Sequence, residues 1–191
     1  LLSHIRYTQH LAVVDDKYNP LRKDIAGNII WFKDRWQLVF SSSQFTDSGV
    51  AYTIFSDTQG TAVSRGDAQE SEVAKNPQNR NQVMTGGYSS TAAMDYTNAG
   101  FKGMRKLNLG KSYGVVSVTF GTACNAYGGT RISFDHLGRP MQGDQSSMTG
   151  PYAAGTQRLI TANCAIVLKD ANDNNATIII RPETGYASIS F

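Results

Sequence analysis

Two cysteines, three histidines, one run of acids and amides and one short basic stretch are the residues of this 191-residue chain whose types could do chemistry. A nucleophilic hydrolase needs an activated Ser, Thr or Cys with a base beside it. The chain has no G-x-S-x-G elbow, and neither cysteine stands near a histidine in sequence. An extracytoplasmic hydrolase is therefore the weakest reading, and no catalytic residue is nominated. His4 and His10 are six apart on a helical stretch, hence on different faces, and read as surface histidines rather than a metal pair. His136 follows Asp135 in DHLGRP, where turn chemistry accounts for it. No cofactor or metal site is expected.

Cys124 and Cys164 are read as a disulfide, because the count is even and the composition is that of an exported protein. The alternative is two separate buried thiols. DANDNN (Asp170, Asn172, Asp173, Asn174) begins like a calcium loop, but Asn175 stands where the glycine belongs and Arg181 where the glutamate belongs. A tight turn between strands is the simpler reading. The same stretch holds the sequon Asn175-Ala176-Thr177 with Asp173 two residues before it, which marks Asn175 as a candidate N-glycosylation site. FKGMRKLNLGK supplies Lys102, Arg105, Lys106 and Lys111, which could touch the phosphates of DNA, but an ordinary solvated loop is the preferred reading.

Bulk properties narrow the class. Charged residues make up 17%, against roughly 25% in average soluble domains. The net charge of +3 does not demand a nucleic-acid partner. No apolar run approaches the roughly 18 residues of a membrane span. The length suits a single domain, 1–191.

Leu1, Ile5, Thr8 and Ala12 share one face of an amphipathic helix, expected over 1–19 and stopped by Pro20. The apolar period begins without an N-cap residue. A first β-hairpin is expected within 30–55, with Trp36, Leu38 and Phe40 on its buried face and Arg35, Gln37 and Val39 opposite. Residues 56–111 read as an elaborated excursion packed by Met84, Tyr88, Met94, Tyr96 and Phe101, with DAQESEVAK as a candidate helical turn. The region 112–191 reads as antiparallel and meandering. Val116, Val118 and Phe120 form one face of a strand, Gly128-Gly129 a turn, 142–156 a Gly/Ser/Thr-rich stretch, and ATIIIR-PETG-YASISF a closing hairpin. The fold class is thus α+β, one helix packed on antiparallel sheet, with Trp36, Phe40, Val118, Ile166 and Ile180 in the core.

The helix-then-sheet layout, with the tail RISFDHLGRP, CAIVLKD and TIIIRPETGYASISF, resembles the minor pilins and pseudopilins of type IV pili and type II secretion systems, in their H-type, prepilin-like branch. The resemblance is strongest over 110–191, extends to 1–55, and does not cover the excursion. It implies a pilin-like fold and a structural subunit rather than an enzyme. It also implies a membrane-anchoring half-helix with a methylated N-terminus ahead of Leu1, and a body on the periplasmic face of the inner membrane. The implied partners are other pilin subunits through the helix, and secreted cargo or DNA through the β body.

Overall fold

The structure is a computed structural model that describes residues 1–58, 66–152 and 158–190. Parts of the excursion and of the 142–156 stretch lie outside the described residues.

Helix α1 (Leu2–Val14) ends sooner than the proline alone requires, with Asp15 as its C-cap. It buries Ile5, Thr8 and Ala12, the expected stripe, while Leu1 is only partly covered. The IIWFKDR stretch is not strand: Trp31–Lys33 make a 3-10 turn, and strand β1 (Trp36–Ser41) starts after it. Strand β2 (Ala51–Ser56) returns antiparallel to β1, with Leu38 opposite Ile54.

The excursion carries more structure than its pattern announces. DAQESEVAK contributes only a 3-10 turn at Glu70–Glu72. Strands β3 (Lys75–Asn76) and β4 (Asn79–Val83) form a small ribbon, and helix α2 (Leu109–Tyr113) follows a 3-10 turn at Arg105–Leu107. These pieces line the free edge of β2, where Ala74 N–H donates to Ile54 C=O, Ile54 N–H to Met84 C=O and Gly86 N–H to Tyr52 C=O. An exposed edge strand is thereby covered.

The same segment lies on the back of β1, where Val39 and Phe55 pack with Val73, Val83 and Met94. Strand β1 is consequently buried on both faces, Gln37 and Val39 included, rather than half-buried as its alternation suggests.

The rest of the body is two sheets. Strands β6 (Arg131–Phe134) and β7 (Pro140–Gln142) join the first in the order β2-β1-β6-β7. Strands β5 (Val115–Phe120), β8 (Cys164–Asp170), β9 (Asn175–Ile180) and β10 (Ala187–Ser190) make the second, in the order β10-β9-β8-β5. Every strand pairing within both sheets is antiparallel. The chain is therefore no simple meander, because β5 and β6 belong to different sheets and 121–130 crosses between them. Cys124 in that crossing is bonded to Cys164 at the foot of β8, with 5.5 Å between the Cα atoms.

A register shift between Val115 and Ser117 changes the expected face of β5. One extra residue flips the alternation, so Val115 and Val118 turn to the core beside Phe120 while Val116 is left exposed. Leu38, Phe40, Ile132, Phe134, Ile166 and Ile180 are buried between helix and sheets, with Trp36 and Val118 at the margin.

Helix α1 spans both sheets, touching β1, β6 and β10. Gln9 makes that bridge specific. Its side-chain amide donates to Gly138 C=O at 2.8 Å, in the turn joining β6 to β7, and to Thr184 C=O at 2.7 Å, in the turn joining β9 to β10. Gly138 (φ +79°) and Gly185 (φ +63°) adopt the left-handed backbone that these turns need, and a Cβ at Gly185 would run into the Gln9 amide and Gly138 C=O.

Three outcomes follow for urea unfolding of the purified chain. Replacing Cys124 and Cys164 together by Ser should lower stability by about 4 kcal/mol, the chain-entropy cost of releasing a loop of 40 residues. Gln9→Ala should cost about 1 kcal/mol through loss of its two hydrogen bonds, the one to Gly138 being part-buried. Gly185→Ala should cost more than Gln9→Ala, and an equal or smaller loss would refute the close approach of the two turns.

Candidate functional site

A cleft of about 970 Å³ lies beside the first turns of α1. Its floor is the inner side of the second sheet at Leu168, Ala176 and Ile178, and its walls are Leu2 on the helix and Leu107, Leu109 and Tyr113 around α2. Asn108 holds the α2 wall in place. It is fully buried, its amide donates to Thr46 C=O at 2.8 Å, and its Oδ1 accepts from Lys111 N–H at 3.0 Å as the helix cap. Tyr113 remains 62% exposed at the mouth, an unusual setting for a large ring.

His4 and Tyr52 meet at the back of the cleft. The Tyr52 hydroxyl and His4 Nδ1 are hydrogen-bonded at 2.6 Å. Burial holds the Tyr52 phenol far above its usual value, with nearby Tyr113 adding to the rise. The phenol therefore keeps its proton. Burial also lowers the His4 pKa from 6.5, with the Leu1 ammonium adding to the effect. His4 is thus a half-buried linker between α1 and β2 and not the surface histidine expected. His10 and His136 are exposed.

The basic residues do not gather into a phosphate-binding strip. Lys102 lies 3.5 Å from Glu70 and Lys111 lies 2.7 Å from Asp47. The Arg105 guanidinium sits over the Tyr96 and Phe101 rings, 4.7 Å and 5.5 Å from their centroids. Only Lys106 turns to the cleft, and among the described residues it has no ion-pair partner.

Asn175 is exposed at the start of β9 and also borders the cleft. The turn before it is closed by Asp170, whose Oδ1 accepts from the N–H groups of Asn172 and Asn174 at 2.8 and 2.9 Å. These bonds hold the Asp170 carboxyl below its usual pKa, led by the Asn174 side chain. This is turn chemistry, as expected of DANDNN. Among the described residues no group of three His, Cys, Asp or Glu is placed to hold a metal ion.

A second polar cluster lies at the other end of α1. Asp135 is fully buried, and its Oδ2 accepts from Arg139 Nε at 2.8 Å and the Tyr152 hydroxyl at 2.9 Å. Burial pushes the Asp135 carboxyl up, but the bonds from Arg139 and Tyr152 outweigh it and leave the pKa lowered. The Arg35 guanidinium, itself buried, packs on the Trp31 and Tyr152 rings. With Asp135 also accepting from Leu137 and Arg139 N–H, the cluster closes the DHLGRP turn.

Comparison of the chain with protein-family models, curated proteins and solved structures returns no match. Among the described residues no helix is long and apolar enough to cross a membrane.

Sequence reasoning singled out neither Gln9, Tyr52 nor the cleft. Gln9 carries a usable signal, a polar residue four after Ile5 at the edge of the buried stripe. Tyr52 carries none, because a strand tyrosine reads as core.

The His4–Tyr52 contact has a pH signature. A folded pKa below 6.5 means that the unfolded chain binds more protons in the window just under 6.5. Its stabilising contribution is complete above that pH and is lost as pH falls through the window toward the folded value. His4→Gln should flatten the slope of urea stability against pH between about 6.5 and 5. An unchanged slope would show that the histidine is solvated.

Proposed function

We propose that this chain is the extracytoplasmic domain of a minor pilin or pseudopilin, a structural subunit of a type II secretion pseudopilus or type IV pilus. The observation that carries this reading is the seating of an N-terminal helix across two antiparallel sheets, with Gln9 joining the LGRP and PETG turns. These turns belong to the segments that resemble the family, and here they share one donor. The disulfide fits a periplasmic setting.

In this reading the helix continues toward the membrane and packs on the helices of neighbouring subunits. The β body faces outward, and the excursion and cleft meet neighbours or cargo. The outward side of α1, with His10 exposed and Val13 50% exposed, is free for such contacts.

The test is cysteine crosslinking of the full-length protein in its native cells from His10→Cys and Val13→Cys. Crosslinks to other pilin-like subunits, in a membrane fraction, are expected. A protein recovered from the cytoplasm with Cys124 and Cys164 reduced, and without crosslinks, would overturn the reading. Salt-dependent DNA retention by the purified chain, lost when Arg105 and Lys106 are both changed to Ala, would move the function to DNA uptake.

A further inference from the structure

We propose that the cleft beside the start of α1 binds a long-chain carboxylate, with its hydrocarbon on Leu168, Ala176 and Ile178 and its head at Lys106. This stands independently of the filament reading, since it rests on the cleft alone.

Three observations select this chemistry. The first is size: about 970 Å³ lies at the upper end of the roughly 300–1,000 Å³ of small-molecule sites. The second is the apolar make-up of the floor and walls, where Leu2, Leu107, Leu109, Leu168 and Ile178 converge. The polar side chains at its margin are partly engaged already, His4 through Nδ1 with Tyr52 and Asp170 with Asn172 and Asn174. An extended peptide would bury N–H and C=O groups against these apolar side chains, each a net cost. A hydrocarbon chain brings none.

The third is charge at the mouth. Lys106 is exposed and, among the described residues, without an ion pair. Arg6 borders the same cleft while donating to Ala187 C=O at 2.8 Å. Lys169 lies 3.4 Å from the exposed Asp173, a pairing that solvent largely screens. An apolar trough with cations at its lip is complementary to a hydrocarbon ending in an anion.

The experiment is displacement of dansylundecanoate from the 191-residue chain by straight-chain carboxylates from octanoate to palmitate. Affinity should rise about fourfold per added methylene, the equivalent of about 0.8 kcal/mol, until the trough is filled. Lys106→Glu, at an exposed position that should not disturb folding, should weaken palmitate at least about threefold and leave hexadecanol unchanged. Ala176→Trp should block both ligands.

Affinity that does not depend on chain length would overturn the proposal, as would a Lys106→Glu variant that binds palmitate like the parent. Sedimentation with phosphatidylglycerol vesicles, without displacement of the probe by palmitate, would also overturn it and assign the cations to a lipid surface.

Discussion

Everything in this fold depends on helix α1 lying in the seam between two sheets that are separate hydrogen-bonded ladders. Ile5 and Ala12 supply the apolar burial, about 1.5–3 kcal/mol for a side chain the size of Ile5. Burial of that kind is non-directional and would tolerate a helix turned or slid by part of a turn. The Gln9 amide removes that freedom, because its two donors must reach one carbonyl from each sheet at once. Trp36 Nε1 does the same at the far end by donating to Asp15 at 2.9 Å, so the helix is pinned at its middle and its C-terminus.

The crossing from β5 to β6 is the second constraint. A segment rich in Gly and Ala has little side chain with which to hold a path between sheets. Cys124 anchors it covalently to the foot of β8, and Gly121 N–H adds a bond to Ala165 C=O at 2.8 Å. The first sheet meanwhile gains its outer cover from the excursion, which explains why so polar a stretch is retained in a compact body. Thr53 and Thr85, both fully buried, satisfy one another across that joint at 2.6 Å.

The cleft is the consequence at the open end. The second sheet presents Leu168, Ala176 and Ile178 there, the helix approaches only with its first turn, and α2 forms a wall that Asn108 anchors to Thr46 and Gly86. His4 is bonded to Tyr52 and Asp170 to Asn172 and Asn174, beside an apolar floor with Lys106 and Lys169 at the lip. The Asp135 cluster at the opposite end shows the contrasting solution, a buried carboxylate surrounded by donors and closed to ligands.

Much of this was legible in the residues themselves. The 3.6-residue stripe of α1, the Trp36–Phe40 alternation, the closing hairpin around PETG and the partnership of Cys124 with Cys164 are local or compositional signals, and each corresponds to an observed element. Three features required tertiary structure. The face of β5 depended on a bulge, which is a matter of pairing register and leaves no mark in the period of a single strand. The double-sided burial of β1 depended on where a weakly patterned segment more than thirty residues away came to rest. The cleft depended on residues near 4, 52, 106 and 176 converging, and no spacing along one chain encodes that meeting. Sequence alone determined the helical stripe, the closing hairpin and several turns, because those choices are made by neighbours a few residues apart. Tertiary structure decided which surfaces face each other, because that is set by partners brought from distant parts of the chain.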